Sequence, residues 1–278
     1  MRSDVEILVM VNRSDHAVLT PPPVIGVYNM GYTFPPSARA SPKFFFRYPT
    51  EKIHISQTLY AIVEQRVKNK FCVSGTMKMF DLTMPMDTQI PIFPGDPEPE
   101  IIQVASIKEN GWNEKQITIG SHFSTHIDAP FHMIKGGKKL DDYPITKFIG
   151  MASVIDVKNQ KLINPGLDEI EQNDIVFFYT AHINKIRYKE YFQQNPILSL
   201  ETAQRLIEKK VKIVGLDSFS PDNEPFEIHK LLLKNDILIV ENLINLDKLL
   251  NSRFMCYILP LKIMDADGAP CRVIGVLT

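Results

Sequence analysis

The sequence predicts a mixed α/β domain over residues 77–278. Short apolar runs rich in β-branched residues recur through this stretch, as buried strands require. Two segments carry helix signals, and they fall between such runs. Strands outnumber helices, a pattern that belongs to mixed α/β folds.

Taken in order, residues 80–83 read as the first strand. Residues 91–97 (PIFPGDP) read as a rigid loop, since each proline fixes its own φ and restrains the residue before it. Residues 100–107 and 114–119 alternate well enough to be strands. Residues 152–157 and 175–179 are apolar and suit buried strands. Residues 199–210 open on a Ser N-cap and place Leu200, Ala203, Leu206 and Ile207 on one face, which predicts a helix. A strand over 211–216, a turn-rich loop over 217–225, a short helix over 227–234 and a strand over 237–241 follow. Residues 253–263 and 272–277 read as closing strands around a turn at 265–270.

Residues 1–76 break this order. They hold proline clusters at 21–23 and 35–36, three consecutive phenylalanines at 44–46, and one helical period over 57–67. Proline clusters argue against a compact unit. The expectation is a poorly ordered extension, or a start codon called too early, ahead of a separate domain at 77–278.

Bulk properties exclude several function classes. The 31 basic and 32 acidic residues nearly cancel, so nothing points to nucleic acid. No apolar run approaches the ~20 residues that span a bilayer. Three separated cysteines, Cys72, Cys256 and Cys271, give no disulfide framework, so the expected location is the cytoplasm.

The segment 122–132 (HFSTHIDAPFH) carries the chemistry. It packs His122, His126, Asp128 and His132 into eleven residues, groups that bind divalent metals and move protons near neutral pH. Gly120 and Pro130 argue against a helix. On a straight strand His122 and His126 would stand ~13 Å apart, too far to share one ion. The segment must therefore bend, with Ser124-Thr125 and Ala129-Pro130 as the expected places.

These residues resemble the HxGTHxDxPxH signature of the cyclase family of metal-dependent hydrolases, which includes formamidases and isatin hydrolases. Asp81-Leu-Thr with Phe93-Pro-Gly-Asp96, Gly215-Leu-Asp217-Ser…Pro221, and Pro260-Leu-Lys…Asp267-Gly-Ala-Pro-Cys-Arg272 resemble three further family stretches. Ser124 stands where the motif has Gly, and is expected to be tolerated at negative φ. Thr180-Ala181-His182 resembles a TGW-like stretch without its Gly and Trp, and His182 is expected in a pocket or on the surface rather than among the ligands.

The resemblance implies a swivelling β/β/α fold assembled as a homodimer or homotetramer. It implies His122, His126, Asp128, His229 and Glu241 as metal ligands, with Asp128 bridging two ions, and His132 as the catalytic histidine. The implied metal is Zn²⁺, one or two ions, or Mn²⁺. The implied reaction is hydrolysis of a small amide, first an arylformamide such as N-formylkynurenine. A cyclic amide or ester hydrolase of the isatin hydrolase type and a non-catalytic metal-binding member remain open. Phe93, Phe123 and Phe131 are candidates to pack against an aryl group. At least one of them, with Phe131 named first, is expected to be plain core. Trp112 is expected at the pocket mouth or at an oligomer contact.

Overall fold

The structure is a computed structural model that describes residues 77–188 and 191–277. The expected N-terminal extension over 1–76, its helical period and Cys72 lie outside the described residues.

The described residues form twelve strands: β1 (Lys78–Asp81), β2 (Glu100–Ala105), β3 (Glu114–Thr118), β4 (His126–Asp128), β5 (Ile149–Asp156), β6 (Leu162–Ile163), β7 (Ile175–Tyr179), β8 (Ile197–Leu198), β9 (Ile213–Leu216), β10 (Leu238–Glu241), β11 (Arg253–Pro260) and β12 (Gly268–Leu277). Helices are α1 (Ile107–Asn110), α2 (Leu200–Glu208) and α3 (Glu227–Lys234). The main sheet runs β1-β12-β11-β5-β7-β9-β10-β4. β4 also pairs with the start of β12, so seven strands close on themselves and β1 flanks the ring. Closure leaves β4 with both edges hydrogen-bonded, which fixes the strand that carries His126 and Asp128.

Period-two patterning builds two cores at once. In β7, Ile175 and Phe177 face the barrel interior, while Val176 and Phe178 face a second cluster under the helices. β9 and β10 split the same way: Ile213, Leu238 and Val240 point inward, and Val214, Leu216 and Ile239 point outward. Strands buried on both faces read as continuous apolar runs, and that is how 175–179 and 213–216 appear in the sequence.

α2 begins where the sequence predicts. Ser199 is its N-cap and accepts from the Thr202 N–H. Leu206 and Ala203 bury against the outer core, and one such leucine contributes about 1.5–3 kcal/mol relative to exposure. α3 lacks a local side-chain cap. The Asp222 carboxylate supplies one from outside, accepting from the N–H groups of Ile228 (2.6 Å) and His229 (3.2 Å).

Some boundaries differ from expectation. β1 starts two residues earlier than residue 80. β2 stops at Ala105, because Ser106 caps the single turn α1 and Gly111 ends it at φ 85°. β12 absorbs Gly268–Pro270 from the expected turn, since these residues pair with β4. β2 and β3 form a separate hairpin outside the ring. Trp112 sits exposed beside it and its indole N–H reaches Glu114 Oε2 at 3.4 Å. Phe131 is not core: it is 41% exposed, with the Lys139 ammonium 5.5 Å from its ring centroid. Among the described residues no helix is long and apolar enough to cross a membrane.

Candidate metal centre and active site

The cross-strand register assembles the site. β4 pairs with β10 so that His126 lies opposite Glu241 and Asp128 opposite Ile239. Ile127 points into the barrel, so His126 and Asp128 share the outer face with Glu241. α3 packs over β10 and brings in His229. Gly268 stands opposite Asp128 on β12; a Cβ there would lie 2.8 Å from His122 Cε1, so only glycine leaves room for that ring.

The expected bend is present. Ser124 turns the chain at φ 63°, and Pro130 starts a single 3₁₀ turn, Pro130–His132. The ring centroids of His122 and His126 are therefore 5.0 Å apart instead of the extended ~13 Å. Ser124 therefore does not meet the condition, a negative φ, under which serine is expected to be tolerated. The same holds at the second position without the motif's glycine: Ala181 has φ 61°. The backbone keeps the left-handed conformation at both positions and the side chains bear its steric cost. The Ser124 hydroxyl donates to the Met84 carbonyl at 3.2 Å, which offsets part of it.

Each of the three inner imidazoles has one nitrogen engaged from outside and the other aimed inward. His126 Nδ1 donates to the Ser124 carbonyl at 2.9 Å. Its Nε2 then faces Asp128 Oδ1 at 3.4 Å and Glu241 Oε2 at 3.3 Å, buried and without a hydrogen-bond partner. His229 Nδ1 binds Asp222 Oδ1, leaving Nε2 3.2 Å from Glu241 Oε1 and 3.9 Å from Asp128 Oδ2. His122 Nε2 binds Asp267 Oδ2 at 2.9 Å, and its Nδ1 meets Asp128 Oδ1 at 2.8 Å. An outer acceptor on the far nitrogen is how metal-binding histidines are oriented. An orphaned ring nitrogen between two carboxylates is the place a cation fits.

Electrostatics agree. Burial opposes charge on His122, but Asp128 and Asp267 outweigh it and push the ring up to about 10. Burial likewise opposes charge on His229, yet Asp222 and Glu241 raise it to about 10. The Asp128 carboxyl is held well below its usual range by His122 and His126, against the effect of burial. Carboxylates that hold protons this firmly on two rings would hold a divalent ion instead. His122, His126 and Asp128 form one group close enough to ligate a metal, and Asp128, His229 and Glu241 form another. Asp128 presents Oδ1 to the first and Oδ2 to the second. The donor set of imidazoles and carboxylates fits a divalent metal.

His132 stands apart from this inner set. Its ring lies over His122 with centroids 4.0 Å apart, and it lines a cavity of about 420 Å³. Phe93, Phe192 and Phe219 form one wall of that cavity with centroids 5.0–5.9 Å apart. Phe123 is buried and also touches the cavity, whereas Phe131 does not line it. His182 lies outside it, buried and stacked on Tyr191 at 4.8 Å, with Nε2 donating to the Tyr191 carbonyl.

Sequence reasoning missed the outer partners. Asp222 closes the SPD stretch and Asp267 opens the DGAP stretch, so the motif acids were the available signal. Asp217, from the same family stretch, proves structural. Its buried carboxylate accepts from Thr180 N and Oγ1 and from Ala181 N, and burial pushes it up to about 6 despite those bonds.

Comparison with known proteins agrees with this geometry. The sequence profile of the Cyclase family matches residues 80–223. The kynurenine formamidase of Bacillus mycoides is 32% identical, over 72% of this chain and 97% of that protein. The kynurenine formamidase of Bacillus cereus is 31% identical over the same shares. A solved structure described as a potential metal-dependent hydrolase with cyclase activity is 26% identical, with a TM-score of 0.62 over 72% of this chain and 98% of its own. Isatin hydrolase A of Labrenzia aggregata shares the fold, at 23% identity and a TM-score of 0.67 over 78% and 99%. With profile, relatives and architecture in agreement, the chain belongs to the cyclase family of metal-dependent hydrolases.

Proposed function

We propose that residues 77–278 hydrolyse a small amide, first an arylformamide such as N-formylkynurenine, releasing formate and the aryl amine. The observation that carries this reading is His126 Nε2, buried between the carboxylates of Asp128 and Glu241 with no hydrogen bond. His122, His126, Asp128, His229 and Glu241 would hold the metal, one or two Zn²⁺ ions or Mn²⁺, with Asp128 shared. The bound ion supplies an acidified water and positive charge for the oxyanion.

His132 takes the proton from the attacking water and returns it to the leaving nitrogen. It suits that role because it borders the cavity and stands outside the inner ligand set. A purely structural site closes its coordination and needs no base at a cavity wall. The Phe93–Phe192–Phe219 wall gives an aryl ring edge and face contacts while its polar end meets the histidines.

The same apolar wall suits a fused aryl lactam, so an isatin-type ring opening is the second reading. Purified protein, assayed for metal content and for hydrolysis of N-formylkynurenine against isatin, separates the two. Full turnover after exhaustive chelation would defeat both.

The hairpin β2–β3 exposes Ile102 on one face and Ile117, which pairs with Ile101, on the other, and Val104 and the nearby Trp112 are exposed as well. Apolar side chains exposed on both faces of a hairpin outside the ring support self-association as a homodimer or homotetramer. Light scattering of the wild type beside Ile117→Glu tests it; a monomeric wild type would reject it.

A further inference from the structure

One carboxylate oxygen serves two histidines. Asp267 Oδ2 receives the His122 Nε2–H at 2.9 Å and stands 3.6 Å from His132 Nδ1. The second distance is just beyond hydrogen-bond range, the looseness usual for catalytic pairs before substrate tightens them. An ionised carboxylate there is an acceptor only. Asp267 is also well fixed. The next residue, Gly268, is locked into β12 by pairing with Asp128, and the Asp267 carbonyl accepts the Ala129 N–H at 2.8 Å. Ala129 immediately precedes the 3₁₀ turn that carries His132.

We infer that Asp267 is a positioning residue for His132. The inference rests on the reading of His132 as the general acid/base. A fixed acceptor beside Nδ1 places the ring's proton there and leaves Nε2 with a lone pair for substrate water. The same oxygen sets the tautomer of His122. The geometry thus ties the orientation of one inner histidine to the orientation of the proton carrier through a single atom.

His122, His132 and Asp267 also lie close enough together to ligate a cation. The positioning role fits better, because His122 already points Nδ1 at Asp128 and turns Nε2 outward to Asp267. An ion in that outer group would compete for the nitrogen that Asp267 holds.

The test uses the full-length, metal-loaded chain. ¹⁵N-histidine spectra read the tautomer of neutral His132 with no substrate present. With metal held at saturating concentration, wild type is expected to carry the proton on Nδ1, and Asp267→Asn to lose that preference. On the substrate the wild type hydrolyses fastest, Asp267→Asn is expected to lower kcat about 10–100-fold, the usual cost of losing such a partner. KM should stay within about threefold, since only a transition-state interaction is removed. Asp267→Glu, which keeps the charge, should retain more turnover than Asp267→Asn. Placed in a His132→Ala background, Asp267→Asn should cost less than about threefold, because the group it positions is gone.

An unchanged His132 tautomer in Asp267→Asn, or an equal loss of kcat in both backgrounds, would overturn the proposal. So would recovery of wild-type kcat by Asp267→Asn at saturating metal, or metal loss from His132→Ala, which would make the trio a cation site. A wild type with the Nδ1–H tautomer and no hydrolase activity would sink the functional reading and leave the positioning role standing.

Discussion

Asp222 binds Nδ1 of His229 with one carboxylate oxygen and caps helix α3 with the other. One side chain thereby decides both where the helix starts and which nitrogen of its histidine faces Glu241. Asp222→Ala should cost about 1 kcal/mol of stability through the cap alone. It should also weaken metal binding by roughly 10–100-fold, the usual effect of losing an outer partner. Asp222→Asn keeps an acceptor oxygen and should lose less of both. Thermal melts and metal competition titrations on the same preparations check the pair of effects; Asp222→Ala with unchanged metal affinity would refute the orienting role.

His132→Ala should bind metal as the wild type does and lose about 10²–10⁴-fold in kcat, the range for a general acid/base. Metal analysis alongside turnover decides this. Metal loss would make His132 a ligand.

Ser124 and Ala181 both hold left-handed backbone that glycine accepts at less cost. A non-glycine residue there costs about 1–2 kcal/mol. Ala181→Gly should therefore stabilise the chain by about 1 kcal/mol, or about 2–4 °C in Tm for a domain of this size. Ser124→Gly should be close to neutral, since it also removes the hydroxyl contact to Met84, worth about 0.5–1.5 kcal/mol. Ser124→Val, branched at Cβ and without that contact, should destabilise by more than about 2 kcal/mol. Calorimetry of the three variants tests the order; a destabilised Ala181→Gly would contradict it.

Burial lowers the His182 pKa below its usual value, although the Tyr191 carbonyl accepts from its ring. A histidine with a depressed folded pKa contributes stability above its unfolded value near 6.5, and loses it as pH falls through the folded pKa. His182→Gln should accordingly be less stable than wild type at pH 7.5, with the gap narrowing toward pH 5.5. Denaturant melts across that range measure it, and a gap that widened on acidification would show the sign to be wrong.

The motif 122–132 was legible because its chemistry is local. Three histidines and an aspartate at short spacing signal a metal whatever the fold, and the ~13 Å of a straight strand required a bend. β7 and α3 were legible to the residue, since apolar runs and amphipathic spacing are local too. That β2 and β3 pair with each other outside the ring, and that β12 begins at Gly268, were not. Both follow from strand pairing rather than from local residue type.

By itself the sequence determined which segment gathers candidate metal-binding side chains and that the strands form the core, because residue type and periodicity act at short range. Only the tertiary structure decided that Glu241 faces His126, that Asp222 and Asp267 orient the rings of His229 and His122, and that Ser124 turns through positive φ. Those relations follow from strand register and ring closure, which bring side chains up to 145 residues apart to within 3 Å.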